Sequence, residues 1–477
     1  MGVRKRFTLS CTAVVGICIS ILLLTAVPAA ANIRLPAIIG SNMVLQQQHR
    51  VKLWGWADPL EKVVVTTSWD RQSYPVTATG NARWEVSIQT PAAGGPYSIT
   101  FAGKNKITLT NIMLGEVWIC GGQSNMEMCG QWGLADIKAA LPTAANNDIR
   151  FFHIPKTTAT CPQDDVKASW TTCDSSTLNT FSAVAYFFGK KLQAKLHVAI
   201  GLVAASWGGT SAEVWTPDSI IQKDTILKTA AAAIAPSGMC PHTPGIAWNA
   251  MLAPITNYAA AGAIWYQGEN NTSTAGTYAR LFTKMIDAWR CAWQDTLPFY
   301  FVQIAPFNYR EKNVGALLRE AQWQSSRHLR TGMVVIMDLV NNVYDVHPAN
   351  KHDVGARLAD RALGDTYHIP GAPYENPSYQ SAVVRQHKML LSFDHAATGL
   401  TIQGKTIREL FIAGSDQVFY PAECSIKNNT LLVWSSEVKT PVAVRYAFSN
   451  TAIGNLFSNN GLPVGPFRTD GWPVATK

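Results

Sequence analysis

Between about residues 112 and 365 the sequence alternates short apolar runs with helical segments, and this alternation constrains the fold more than any other feature. The apolar runs predict strands over residues 117–120, 198–205, 263–266, 299–304 and 334–339. The segments between them predict helices over residues 183–196, 278–289, 316–327 and 348–363. Strands that alternate with helices are typical of a mostly parallel sheet covered by helices on both faces. We therefore predict an α/β fold with a doubly wound sheet, over residues 111–368.

The segments on both sides of this unit have β character. Residues 32–110 contain short alternating runs separated by turn residues, which is the pattern of a β-sandwich-like segment. Residues 369–477 contain further short runs of the same kind. Neither junction has a long spacer rich in Gly, Ser or Pro, so we expect both β-rich segments to pack on the α/β unit.

Residues 1–31 have the organisation of an export signal peptide. Basic residues occupy positions 4–6, an apolar stretch follows from Phe7 to about Val27, and alanines at positions 29–31 form a cleavage site. We predict cleavage after Ala31 and a secreted or periplasmic location. Because the apolar stretch is long for a signal, an uncleaved N-terminal anchor is the alternative. No later run of about 18 apolar residues follows, so we expect no integral membrane segment after processing.

Composition and spacing exclude several classes of protein. Apolar residues make up 47% of the chain and charged residues 15%, so the chain can bury a large core and is not intrinsically disordered. The net charge is +9 and basic residues form no run of five or six, so we expect no nucleic-acid partner. No C-x-x-C or H-E-x-x-H spacing occurs, so we predict no zinc site. Cys161 and Cys173 bracket a short polar loop and are our first choice for a disulfide. The oligomeric state is not predictable from the sequence.

Four loops after predicted strands carry residues with catalytic potential, since ligands of open α/β sheets bind beyond the carboxyl ends of the strands. The loops are residues 121–126 (GGQSNM), 206–211 (SWGGTS), 267–271 (QGENN) and 341–348 (NNVYDVHP). Taken singly, each is also compatible with an ordinary turn or helix cap.

The first and fourth loops together suggest nucleophilic catalysis. Glycines beside Ser124 let backbone N–H groups approach a ligand closely. In the fourth loop, Pro348 is a favoured first residue of a helix, and we expect the helix dipole to help keep His347 neutral. Ser, His and Asp at one sheet edge can supply a nucleophile, a general base and an orienting carboxylate.

Taken together, the loops resemble the sialate O-acetylesterase family, a branch of the SGNH hydrolases. The resemblance is carried by the following blocks: residues 115–118 (GEVW), 122–127 (GQSNME), 206–210 (SWGGT), 265–269 (WYQGE), 345–348 (DVHP), 181–189, 461–463 and 466–470. It implies an SGNH-hydrolase-like fold and a secreted serine esterase that removes O-acetyl groups from sugars, sialic acids first, through an acetyl-enzyme on Ser124. The reaction it implies needs no cofactor and no metal. Within this class the alternative is an acetylxylan or other polysaccharide acetylesterase. From another class, the alternative is a non-catalytic carbohydrate-binding protein.

The resemblance also implies catalytic roles. Ser124 is the expected nucleophile, His347 the base that takes its proton, and Asp345 the carboxylate that holds the imidazole ring. The spacing here is Asp-x-His, whereas the wider SGNH pattern has Asp-x-x-His, so Glu269 and Asp338 stay open as the orienting carboxylate.

The oxyanion hole implied by the family has three donors. They are the N–H of Ser124, the N–H of a glycine in the second loop, and the side chain of Gln267. Of Gly208 and Gly209 we prefer Gly209. Each such donor contributes about 3 to 4 kcal/mol to transition-state stabilisation.

Residues that contact the acetylated sugar or glycan substrate are harder to assign. We name Trp207, Glu269 and Arg468 as substrate-binding candidates. Trp265 and Tyr266, beside the third loop, are further candidates for stacking on a sugar. Arg468 is chosen because a sialate carboxylate needs a cationic partner.

Overall fold

The computed structural model describes residues 1–3, 32–371 and 373–476. Apart from residues 1–3, the predicted signal peptide lies outside the described residues. Among the described residues, no helix is long and apolar enough to cross a membrane.

The N-terminal β segment begins with six strands and shares a seventh with the centre of the molecule. These strands are β1 (Val44–Gln46), β2 (Arg50–Trp56), β3 (Lys62–Thr67), β4 (Ser73–Thr77), β5 (Arg83–Gln89), β6 (Gly94–Ala102) and β7 (Lys106–Gly122). Strands β2 and β5 form a separate antiparallel pair, whereas β1, β3, β4 and β6 join the sheet that contains β7. Strand β7 therefore crosses the predicted boundary at residue 110.

The rest of the central sheet is built from six strands that follow β7 in the chain. They are β8 (Asn146–His153), β9 (Trp170–Cys173), β10 (Ala199–Ser206), β11 (Gly262–Tyr266), β12 (Phe299–Val302) and β13 (Thr331–Val334). The strand order is β13-β12-β11-β7-β10-β8-β9, and every neighbouring pair is parallel except β8 with β9. The predicted mostly parallel sheet is confirmed.

The helices are short near the amino end of the α/β unit and longer later. They are α1 (Ser124–Glu127), α2 (Ala135–Ala140), α3 (Ser175–Asn179), α4 (Ala183–Leu196), α5 (Asp218–Gln222), α6 (Thr225–Ala232), α7 (Ala275–Trp293), α8 (Val314–Ser325) and α9 (Lys351–Asp365). Helices α4 and α9 pack against each other, as do α7 and α8.

Two hydrophobic cores lie on opposite faces of the central sheet. Along β7, Val117 and Ile119 belong to the core that contains α7 and α8, whereas Trp118 and Cys120 belong to the core that contains α4 and α9. Successive side chains of a strand point to opposite faces, so β7 is buried on both. This is the doubly wound arrangement that the sequence predicts.

The C-terminal β segment forms small antiparallel sheets. Its strands are β14 (Ser378–Arg385), β15 (Lys388–Asp394), β16 (Leu400–Ile402), β17 (Leu410–Ala413), β18 (Phe419–Pro421), β19 (Glu423–Lys427), β20 (Thr430–Trp434), β21 (Ala443–Tyr446), β22 (Leu456–Ser458) and β23 (Phe467–Arg468). Buried residues of both flanking segments, for example Val63 and Leu391, belong to the same core as α7 and α8.

Three details differ from the sequence predictions. The predicted strand over residues 334–339 is displaced, because β13 ends at Val334 and Met337–Leu339 is a 3-10 turn. Strand β8 was not predicted. Cys161 is exposed, Cys173 is buried, and both are free thiols, so the predicted disulfide is wrong.

Candidate active site

Three of the four catalytic loops meet at the carboxyl edge of the central sheet. Strand β7 lies between β10 and β11, and Gly122 at its end pairs with Ser206 of β10 and Tyr266 of β11. The chain continues from β7 to one side of the sheet and returns later to the other side. This reversal of strand order is where doubly wound sheets bind their ligands.

Gly122 allows the chain to turn sharply before the serine. Its φ is +144°, and a Cβ at this position would lie 2.2 Å from the carbonyl oxygen of Tyr266. The N–H of Gln123 donates to that same carbonyl at 3.0 Å, and Ser124 begins α1 immediately afterwards. Only glycine fits this close approach.

The structure brings Ser124 and His347 together across 223 residues of sequence. The His347 Nε2 lies 2.8 Å from the Ser124 Oγ, which is hydrogen-bond distance. The His347 side chain is half-buried, and its pKa is lowered below the usual value, first by burial and then by the positive charge of Lys351. Asp345 opposes this shift. The expected direction of the shift is present, but its cause is not the predicted one.

The predicted helix start at Pro348 is wrong. Helix α9 begins at Lys351, and Asn350 is its N-cap, with a side chain that accepts from the Asp353 N–H at 3.0 Å. Asparagine is a strong N-cap residue because its side-chain oxygen satisfies a free N–H of the first turn. His347 therefore precedes the cap by three residues.

The Asp345 carboxylate does not make the predicted contact with the imidazole ring. It accepts a hydrogen bond of 2.8 Å from the backbone N–H of His347 instead, and Asp345 is exposed. The physical reason is the Asp-x-His spacing, because an Asp side chain readily accepts from the N–H two residues further on. In this structure Asp345 fixes the loop and not the ring.

Within the described part of the chain, the other two candidate carboxylates also make no hydrogen bond to the His347 ring. Asp338 forms a two-point ion pair with Arg357, at 2.7 and 2.6 Å. Glu269 is buried, and its Oε1 accepts from the Asn125 side chain at 2.6 Å. Burial raises the pKa of Glu269. Its Oε2 is buried without a hydrogen-bond partner among the described residues, and its predicted role as a substrate-binding residue stays a prediction.

Two backbone N–H groups of the first and second loops are without a hydrogen-bond partner in the described residues. Within the described part of the chain, neither the Ser124 N–H nor the Gly209 N–H donates a hydrogen bond. The Gly208 N–H, in contrast, donates to Glu127 at 2.5 Å. The preference for Gly209 over Gly208 as an oxyanion donor is consistent with this geometry, and its role stays a prediction.

Gln267 does not have a free donor. Its side chain is fully buried, and its amide nitrogen donates to the Thr210 carbonyl at 3.1 Å and to the Asn271 side chain at 2.8 Å. Its oxygen accepts from Tyr278 at 3.0 Å. The amide therefore ties the second and third loops together, and its predicted place in the oxyanion hole is corrected.

The predicted sugar-contacting residues are mostly buried or paired with other protein groups. Trp265 and Tyr266 are fully buried in the core, whereas Trp207 is partly exposed in the second loop. Arg468 pairs with Glu320 of α8 through two hydrogen bonds and donates a third to the Trp472 carbonyl. This arginine stabilises the contact between the C-terminal segment and α8, so its predicted role is corrected.

Three residues of the site were not singled out from the sequence. Trp132, in the 3-10 turn after α1, is 45% exposed and its ring contacts the edge of the His347 ring at 5.7 Å between centroids. Asn125 and Lys351 form a buried pair behind the Ser–His contact. No local pattern indicates this pair, because His347 lies before the helix that Lys351 begins and Asn125 is 226 positions away in the sequence.

The fold and these loops define a doubly wound α/β ester hydrolase. The profile of one family, described as carbohydrate esterase, sialic acid-specific acetylesterase, matches residues 114–364. The chain belongs to this family, and it is a carboxylic ester hydrolase.

Individual relatives agree with this assignment over most of their length. A solved carbohydrate acetylesterase from Xanthomonas citri is 33% identical, has a TM-score of 0.84, and covers 92% of this chain and 100% of its own. The sialate O-acetylesterase of Pongo abelii is 27% identical over 80% of each chain. That of Mus musculus is 26% identical and covers 91% of this chain and 93% of its own.

Proposed function

We propose that this protein hydrolyses O-acetyl esters of sugars, sialic acids first, through an acetyl-enzyme on Ser124. The observation that carries the proposal is the 2.8 Å contact between Ser124 Oγ and His347 Nε2, beside the free N–H groups of Ser124 and Gly209. A nucleophile bonded to a base, next to two unpaired donors, is the arrangement that acyl transfer requires.

In the first half-reaction the Ser124 Oγ attacks the acetyl carbonyl carbon while His347 Nε2 takes the hydroxyl proton. The carbonyl oxygen becomes an oxyanion and accepts from the N–H groups of Ser124 and Gly209. The bond between the acetyl carbon and the sugar oxygen then breaks, and His347 gives its proton to the leaving sugar. Water activated by His347 hydrolyses the acetyl-enzyme, which releases acetate and restores Ser124.

The leaving sugar lies on the His347 side, since its oxygen must receive the proton from Nε2. Trp132 contacts His347 on an exposed surface, and a tryptophan face is a good platform for the apolar face of a sugar ring. We therefore include Trp132 in the substrate site, together with the partly exposed Trp207.

The choice of sialic acid rests on the family description and on the names of the vertebrate relatives. The second candidate is an acetylated polysaccharide. It is favoured by the Xanthomonas citri relative, which is described only as a carbohydrate acetylesterase, and by the pairing of the Arg468 guanidinium with Glu320, which leaves it less available for a sugar carboxylate.

Acetate release from 9-O-acetylated sialosides, acetylated xylo-oligosaccharides and methyl acetate, measured side by side, tests the proposal. We expect the highest kcat/KM for the sialosides. A higher value for the xylo-oligosaccharides would reverse the order of substrates. Mass spectrometry of enzyme quenched during turnover tests the mechanism, because Ser124 should carry one acetyl group.

Export belongs to the same proposal. It is supported by the basic residues 4–6, the apolar stretch after them and the alanines at positions 29–31. N-terminal sequencing of protein recovered from the periplasm or the medium should begin at Asn32. Recovery of the intact N-terminus in the membrane fraction would favour the anchor instead.

A further inference from the structure

Lys351 is a fully buried lysine directly behind the Ser–His pair. Its Nζ donates to the Asn125 Oδ1 at 2.6 Å and lies 5.4 Å from the centre of the Tyr266 ring. Among the described residues, no carboxylate oxygen lies within ion-pair distance of this ammonium group. The charge is therefore held by one amide oxygen and one aromatic face.

This position is energetically unfavourable for a lysine in two ways. Removing an ammonium group from water is costly, and burial lowers the pKa of Lys351 to about 7. Lys351 is also the first residue of α9, where the helix dipole favours negative and not positive charge. A group kept in so costly a place beside an active site calls for a role at that site.

Asn125 connects Lys351 to both members of the catalytic pair. It follows Ser124 in the chain, and its Nδ2 donates to the carbonyl of Val346, the residue before His347, at 3.0 Å. The same Nδ2 donates to Glu269 at 2.6 Å. The amide oxygen of Asn125 accepts a hydrogen bond from Lys351, so the Asn125 side chain is held with its nitrogen toward Val346 and Glu269.

Several charged groups surround this arrangement. Lys351 and Asp345 act on His347 with opposite signs, as described above. Lys351 is itself acted on by Glu269, Asp136 and Asp345, each of which favours its charged form. The Lys351 backbone N–H donates to Asp136 of α2 at 2.9 Å, which holds the start of α9 in place.

We infer that Lys351 is a positioning residue that orients Asn125 between the serine turn and the histidine loop and places a buried positive charge behind the Ser–His pair. The inference deepens the proposed function and rests on it. Below about pH 7 Lys351 is a cation, so it disfavours the imidazolium form in the acid range where His347 would otherwise gain a proton. The base then stays available for Ser124 at lower pH.

The main test compares Lys351→Gln with the parent protein. Glutamine keeps a donor for the Asn125 oxygen but removes the charge. Loss of a nearby positive charge raises the pKa of His347, and the neutral imidazole is the active form. We therefore expect the acid limb of the kcat/KM profile to move to higher pH by about one unit. Lys351→Arg keeps the charge and should leave the acid limb where it is. A uniform loss of activity in Lys351→Gln, with an unmoved acid limb, would overturn the inference.

Lys191→Met is the matched control, because it removes a lysine that pairs with Asp360 on another face of α9. It should change neither the acid limb nor kcat. If Lys351→Gln does not fold, Lys351→Met removes the same charge from the buried position and should show the same shift.

A titration of the parent protein keeps the inference separate from the proposed function. The NMR signal of the His347 ring, assigned with His347→Gln, reports its protonation whether or not the enzyme releases acetate. We expect a main inflection below pH 6.5 and a second, smaller inflection near pH 7, where Lys351 loses its proton. A single inflection at or above 6.5 would contradict the inference even in a fully active esterase, whereas failed acetate release with both inflections present would count only against the proposed function.

Discussion

Replacement of Asp345 by asparagine shows whether this carboxylate fixes the loop backbone or orients the imidazole ring of His347. The carboxylate accepts from the His347 backbone N–H at 2.8 Å, and an asparagine oxygen can accept from the same group. The change replaces a hydrogen bond to a charged acceptor by one to a neutral acceptor, which costs about 1 kcal/mol. Converted to a rate, this is roughly a fivefold loss of kcat/KM at its pH plateau. If the carboxylate were instead hydrogen-bonded to the imidazole ring, the same substitution would lower kcat by a factor of about 10⁴.

The pH profile of the same variant gives a second, signed prediction. The negative charge of Asp345 raises the pKa of His347, so its removal should lower that pKa further. Activity needs the neutral imidazole, so the acid limb of kcat/KM should move to lower pH. Acetate release from a soluble acetyl ester, followed from pH 4 to pH 8, measures both effects.

Asp345→Ala is the matched comparison, because it removes the acceptor as well as the charge. It should lose more activity than Asp345→Asn and shift the acid limb equally. A plateau loss of a thousandfold or more in Asp345→Asn would refute the reasoning, since it would mean that the carboxylate turns to the ring during turnover.

Other predictions concern single side chains. Ser124→Ala and His347→Ala should each lose several powers of ten in acetate release with an unchanged circular dichroism spectrum, and a Ser124→Ala protein that keeps a tenth of the parent activity would exclude Ser124 as nucleophile. Trp132→Ala should lower kcat/KM for acetylated sugars about tenfold relative to Trp132→Phe, but leave methyl acetate hydrolysis unchanged, and an equal loss on both esters would show that the ring only supports His347. Arg468→Ala should lower stability by about 1 to 3 kcal/mol in urea unfolding, because Glu320 loses its partner, while KM stays unchanged; a raised KM would return Arg468 to the substrate site.

The sequence predicted the elements whose pattern is local. Helix α4 spans residues 183–196 as predicted, and the glycine-rich loop at Ser124 follows a strand as predicted. The apolar run over 334–339 gave a wrong strand prediction, because residues 335–337 are buried without belonging to a strand. Hydrophobic periodicity does not distinguish a buried strand from a buried irregular segment.

The site depended on contacts that no local pattern contains. The 2.6 Å contact between Lys351 and Asn125 joins residues 226 positions apart, and the burial of the Gln267 amide depends on Thr210 in another loop. Resemblance to a family predicts the types of the site residues and their order in the chain. It does not determine which polar groups are already paired within the protein, as the Gln267 amide and the Arg468 guanidinium are, or buried, as the Glu269 carboxylate is.

Strand β7 has a consequence for attempts to recombine this protein with its relatives. It is one strand of 17 residues whose first part pairs with β6 and whose last part pairs with β10 and β11. The turn that leads to Ser124 begins at its last glycine. A truncation before Lys106 would strip β1 and β6 from β7 and leave unpaired N–H and C=O groups on the strand that carries Ser124. The N-terminal β segment and the Ser124 turn therefore have to be exchanged together, and crossover points for chimaeras belong after the central sheet, not before it.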